Sequence, residues 1–165
     1  MYRSKRLRIP WALSVVCLVG LAGGCTESAT QNTASPAPAA EVSPMEQWRV
    51  AGSMPDVTRA VDGNLQTYAA AAKGSGQAML TIDLSKPCLF NLMVIEHGPV
   101  EQGHARRLTL LTSPDGETFT PQMQVEGTPK RTYVAILTPT LARFVRIQAE
   151  VDDNRPWTIA EIYFQ

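Results

Sequence analysis

The chain has 165 residues with 15 basic and 15 acidic side chains, room for one domain with one core beside a leader. Four of the bases and none of the acids precede residue 25, so the remainder holds 11 bases against 15 acids and a net charge of −4. That balance excludes a nucleic-acid partner, which needs a basic face for phosphate contacts, and three scattered cysteines are too few for a zinc site.

Met1 to Arg8 contains Arg3, Lys5, Arg6 and Arg8 and no acid, and Ile9 to Gly20 is almost wholly apolar. A run this short is the core of an export signal, because a membrane span needs about 20 residues. The small residues Ala22, Gly23 and Gly24 before Cys25 resemble the lipobox of bacterial lipoproteins. The resemblance implies removal of residues 1–24 as a signal peptide, a lipid on the Cys25 sulfur, and a place in a bacterial cell envelope. Thr26 after the cysteine favours the outer membrane. Several acyl chains, at about 0.8 kcal/mol per buried methylene, hold such a product on its membrane. The plainer alternative is an ordinary cleaved signal and an incidental cysteine. With Cys17 removed and Cys25 acylated, Cys88 is the thiol that remains, which leaves no intrachain disulfide to form. Its apolar setting, Pro87-Cys88-Leu89-Phe90, predicts a buried, inert thiol.

Residues 26–44 hold few large apolar side chains and three prolines. Such a segment cannot offset its ordering entropy and reads, with Cys25, as a flexible linker. The folded domain is then 45–165. Asp56 to Val61 predicts a short helix with Asp56 as its N-cap. Ala78 to Leu84 alternates, with Leu80, Ile82 and Leu84 on one face, and Phe90 to Glu96 is nearly all apolar, as in a strand covered on both sides. Arg107 to Thr112 predicts a strand ending in a turn at Ser113-Pro114-Asp115-Gly116, after which Phe119 resumes the sheet. Arg131 to Leu137, Leu141 to Val151 and Thr158 to Gln165 supply further strands. Many short strands without a long amphipathic helix predict an all-β antiparallel sandwich or jelly roll.

Five segments carry a family resemblance: Thr58 to Thr67, Leu80 to Pro87, Thr112 to Phe119, Ala142 to Ile147, and Ile159 to Ile162. In this order they resemble the discoidin, or coagulation factor 5/8 type C, domain, which overlaps the galactose-binding-like carbohydrate-binding modules of glycoside hydrolases. The resemblance implies a jelly-roll β-sandwich and a bound structural calcium, with sodium as the other candidate. Position by position it assigns to the cation the carbonyls of Arg59, Asn64 and Ala160, the carboxylates of Asp62 and Glu161, and Thr67. Calcium takes six to eight oxygens, and a glycine-containing turn aims successive carbonyls inward. The plainer alternative is that Asp62 makes a turn and Glu161 faces water.

By location, the resemblance makes His97, Arg106 and Trp157 the first candidates for ligand contacts. Tyr68, Glu96, His104 and Asn154 stand behind them. Solvated loop histidines, a tryptophan capping the core and arginines on a strand end are the alternatives for His97, His104, Trp157 and Arg106. Where many members of the family place a tryptophan shortly after the position of Thr67, this chain has Tyr68-Ala69-Ala70. The reading is a non-catalytic, membrane-anchored module that recognises a glycan or other polar surface ligand. The alternative is an assembly lipoprotein that binds another envelope protein without sugar recognition. An enzyme would need a convergent nucleophile and base or placed carboxylates, and no such motif is present.

Overall fold

In the computed structural model, which describes residues 40–165, period-two burial organises the chain into strands. The segment expected to be a signal peptide, Cys25 and most of the expected linker lie outside the described residues. Leu80, Ile82 and Leu84 are fully buried while Thr81 and Asp83 are half-buried, as expected of a sheet with one dry face. The elements in chain order are β1 Arg49–Gly52, β2 Ala69–Ala71, β3 Gln77–Glu96, β4 Arg107–Ser113, β5 Thr120–Glu126, β6 Arg131–Glu150, β7 Trp157–Ile159 and β8 Glu161–Phe164. Every strand pair is antiparallel.

The segments Ala78–Leu84 and Phe90–Glu96 are one bent strand, β3, and 131–137 and 141–151 merge likewise into β6. The β3/β6 ladder shifts register between Asp83 and Cys88 and again between Phe90 and Leu92. Both irregularities bend the strands, and the second also swaps which parity faces inward. Thus Leu80, Ile82, Leu84 and Phe90 point into the core ahead of the second shift, and Met93 and Ile95 point in after it. The first arm of β3 lies between β1 and β6, with β4 and β5 beyond; the second lies between β6 and β8. These two layers make the jelly-roll sandwich. Between them sit Ile82, Leu84, Ile147, Ile159 and Ile162, joined by Phe90 and Phe164 edge-to-face at 4.9 Å. Each such side chain contributes about 1.5–3 kcal/mol by leaving water.

Local details differ from expectation at two places. Val57–Ala60 is a single 3-10 turn, and Asp56 has φ +53 and makes no side-chain cap; its carboxylate instead pairs with Arg59 at 3.1 Å. The packed domain also begins before Met45. Ser43 is buried, its hydroxyl donates to the Leu84 carbonyl, and its own carbonyl accepts the Trp48 indole N–H at 2.9 Å. The Ala40 carbonyl accepts from Leu89 N at 2.7 Å. Residues 40–44 are therefore part of the domain and not of the tether, because these polar groups have found partners on β3. Cys88 is free and fully buried.

Candidate functional site

Two regions bring together residues singled out in the sequence. The first is the turn between the 3-10 segment and β2. Asp62 Oδ1 accepts from Asn64 N at 2.9 Å, and the Thr67 hydroxyl lies 2.6 Å from Asp62 Oδ2 and 2.9 Å from the Asn64 carbonyl. Gly63, at φ +76, lets the backbone turn so that its N–H and that of Asn64 both donate to Glu161 Oε1. Val61 forms an isolated antiparallel bridge with Glu161. The turn that precedes β2 is thereby fastened to the last strand.

Glu161 does not face water. It is fully buried, and its Oε2 has no hydrogen-bond partner. Burial pushes its carboxyl above the ordinary glutamate value; the Gly63 and Asn64 amides pull it back, and the nearby Asp62 carboxylate adds to the rise. Asp62, exposed, is held low chiefly by the Thr67 hydroxyl. A buried carboxylate oxygen with no donor beside a second, ionised carboxylate is the electrostatic setting that a hard cation relieves. Among the described residues no three or more His, Cys, Asp or Glu side chains are placed to hold a metal ion, so a cation here would draw the rest of its shell from carbonyls and the Thr67 hydroxyl.

The second region is the end of the sandwich where the loops before β3 and β4 meet the loop after β6. The chain pairings fix this convergence: Gly74 N donates to the Asp152 carbonyl at 3.0 Å, Val151 N to Gly76 at 2.7 Å, and Arg106 N to Glu150 at 2.8 Å. A cleft of about 420 Å³ opens between Gln77, Arg106, Glu150, Asp152, Asp153 and Asn154. Its lining combines donors (Arg106, Gln77 and Asn154) with acceptors, and two of its acids are already paired: Glu150 with Arg107 at 3.3 Å, and Asp152 with Arg155 at 3.3 Å.

The sequence profile of the F5/8 type C domain matches residues 39–162. This chain belongs to the F5/8 type C domain family. A comparison with curated protein sequences gives no match. Among solved structures, this F5/8 type C domain is similar to the Clostridium perfringens module CpGH89CBM32-5 in complex with GalNAc-β-1,3-galactose. The TM-score is 0.65 and the identity 17%, covering 73% of this chain and 96% of that one. It is similar also to the family 32 carbohydrate-binding module of C. perfringens NanJ in complex with galactose (TM-score 0.63, 17% identity, 73% and 95% covered). A pectin-binding carbohydrate-binding module gives a TM-score of 0.58 at 20% identity, with 71% and 88% covered. At these identities the likeness is one of fold.

Of the seven expected ligand contacts, this F5/8 type C domain brings only Arg106 and Asn154 into the loop-end cleft. Trp157 is fully buried in β7, so it caps the core and offers no ring to a ligand; its indole N–H has no partner. His97 is also wholly inside, neither a ligand contact nor a solvated loop residue. Its Nδ1 lies 2.7 Å from the Thr158 carbonyl and its Nε2 2.9 Å from the Thr132 hydroxyl. His104 is buried beneath the same loops, its ring 6.4 Å from that of His97, with Nδ1 unpartnered. Tyr68 precedes β2 at the end away from the cleft, since Ala71 pairs with Trp157 and Ala69 with Ile159. Glu96 ends β3 beside Glu161 and forms an ion pair with Arg131. Sequence reasoning passed over Gln77, Glu150, Asp152 and Asp153. The run Asp152-Asp153-Asn154 was the available signal, but nothing local showed that β6 would deliver it beside Arg106.

Proposed function

We propose that this domain is a non-catalytic binding module that recognises a glycan or similar polyhydroxylated surface ligand through the loop-end cleft. The observation that carries the reading is the convergence of Arg106, Asn154, Gln77 and the Asp152-Asp153 acids on one cleft, in a fold shared with carbohydrate-binding modules. Donors and acceptors side by side suit hydroxyls, which both donate and accept, and specificity follows because an unmatched buried polar group is costly. The cleft's titratable groups are Arg106 and three acids, two of them in ion pairs. That set supports binding in preference to bond cleavage. On a glycan array, residues 40–165 are expected to bind a subset of glycans, with at least tenfold weaker binding for Arg106→Ala and Asn154→Ala. Uniform silence overturns the reading.

Calcium, or sodium, is proposed as a structural ion held by Asp62, Glu161, Thr67 and the carbonyls of Arg59, Asn64 and Ala160. When bound it supplies charge neutralisation to Glu161 and no reaction chemistry. The basic, apolar and small-residue order ending at Cys25 supports display of the domain on a bacterial cell envelope, with the outer membrane favoured. Metabolic labelling with a fatty-acid analogue is expected to mark the protein and to miss Cys25→Ala; an unlabelled wild type overturns the anchor. One observation favours an assembly role as the second reading. Leu89 and Leu141 are register partners and both exposed, and Leu137 nearby in β6 is 97% exposed, an apolar surface of the kind that meets proteins.

A further inference from the structure

The second arm of β3 presents an outward row, Leu92, Val94 and Glu96, whose neighbours across the sheet make a trough. Met93 and Ile95 face the core, so the alternate residues face out. Val94 pairs with Tyr133 of β6 on one side and with Tyr163 of β8 on the other. The two tyrosines are therefore walls whose backbones stand about 10 Å apart, two strand spacings, with Val94 as the floor. The trough holds about 380 Å³ and is flanked by Arg131, Leu65 and Gln165. It continues past Leu65 and Glu96 into a second depression of about 490 Å³ that reaches Pro99, Glu101 and Lys130.

The walls are held in place. Arg131 donates from its guanidinium to Glu96 and, at 3.0 Å, to the Tyr133 hydroxyl, and its Cζ lies 5.9 Å from the Tyr133 ring centroid. Burial and the surrounding carboxylates push the Tyr163 phenol up, so it stays neutral and able to donate. Tyr133 and Tyr163 are nonetheless 53% and 38% exposed, a large amphipathic surface left in water.

We infer that this trough, on the sheet face and apart from the loop-end cleft, is a second binding site that takes a linear neutral oligosaccharide lying along β3, its rings flanked by Tyr133 and Tyr163. Three features select this occupant. The exposed tyrosine rings offer apolar surface to a pyranose, and the tyrosine hydroxyls, Arg131, Glu96 and Gln165 offer hydrogen bonds to its rim. The charges at the centre neutralise each other within the Glu96–Arg131 pair, which complements an uncharged chain and not a polyanion or a strongly charged peptide. The opening into the neighbouring depression gives a chain room to continue at one end. The proposal shares only its ligand class with the loop-end reading and stands or falls separately.

The test is affinity gel electrophoresis of the full-length protein, in detergent, through gels containing hydroxyethyl cellulose, linear β-galactan, xylan or polygalacturonic acid. Retardation by at least one neutral polymer is expected. On an Arg106→Ala background, which takes the loop-end cleft out of the readout, Tyr133→Ala and Tyr163→Ala should weaken it at least tenfold, and Tyr133→Phe and Tyr163→Phe should keep most of it. Unaltered melting curves for the alanine variants check that the fold survives. Four results overturn the site: retardation by none of the neutral polymers; stronger retardation by polygalacturonic acid; loss with Arg106→Ala alone; or self-association in sedimentation that the tyrosine variants abolish, which would make the trough an interface between copies. A silent glycan array with retained tyrosine-dependent retardation would remove the loop-end reading and leave this one standing.

Discussion

His97 illustrates how one side chain joins three elements. The Thr158 carbonyl can only accept, so Nδ1 carries the proton and Nε2 must accept from the Thr132 hydroxyl. The Thr158 hydroxyl in turn donates to the His97 carbonyl at 2.7 Å. Protonating Nε2 would force the Thr132 hydroxyl to turn toward the Thr128 carbonyl, 3.3 Å away, and would place a charge where burial already holds the imidazole below its ordinary value of 6.5. A depressed histidine contributes stability that is present above pH 6.5 and lost as the pH falls through its folded value. The contribution of His97 should therefore decline from pH 7.5 to 5.5 by at most about 1.4 kcal/mol per pH unit for the one proton taken up, while Glu161 works in the opposite sense. Urea titrations of wild type and His97→Gln across that range check it: the variant should lose less stability on acidification than the wild type, the depressed His104 being common to both, and equal pH slopes contradict it. None of this was legible locally: a histidine at a strand end reads as solvated, and only β6 and β7 arriving from elsewhere bury it. Trp157 was misplaced for the same reason.

At the scale of elements, the turns carry the sharper tests. Gly63 and Gly98 both have positive φ, +76 and +72, yet their surroundings differ. A Cβ at Gly63 meets nothing within 4 Å, whereas one at Gly98 would stand 2.8 Å from the Ala160 Cβ and 3.3 Å from the Leu65 carbonyl. Gly63→Ala should cost only the left-handed strain, about 1 kcal/mol. Gly98→Ala should cost roughly 2–3 kcal/mol, because the turn after β3 is pressed against the segment that leads into β8. Chemical denaturation of both variants measures the difference, and equal losses would show that the packing at Gly98 is soft. The alternating strands were legible because period two survives in Leu80, Ile82 and Leu84. What sequence could not show was continuity: Ser85 at φ +68 and Pro87 look like a break, but the bulge they make bends β3 from one layer into the other without ending it. Likewise β1 and the Ala69–Ala71 strand have no periodic signal long enough to read.

For the whole molecule, the junction of first turn and last strand sets the stability that a bound ion can add. Glu161 in the ion-free protein has its carboxyl raised by burial. For an acid raised in the folded state, stability is fully present below the unfolded value, about 4.5, and is lost as the pH rises through the folded one. Asp62, held low by Thr67, works in the opposite sense, its contribution present above 3.8 and lost on acidification. A cation binds the charged form of Glu161, so its stabilising effect should grow as the pH rises from 5 to 7.5. With calcium at about a thousand times its dissociation constant the gain is about 4 kcal/mol. Scanning calorimetry with calcium and with chelator, in sodium-free buffer, should show a drop in Tm on chelation that is larger at pH 7.5 than at pH 5. Glu161→Gln, which keeps an amide-bonding oxygen but removes the charge, should abolish the chelator effect and reduce the loss of stability with rising pH. Superimposable melting curves at pH 7.5 would mean that the Gly63 and Asn64 amides alone satisfy Glu161, and that the turn before β2 is joined to the last strand by hydrogen bonds without an ion.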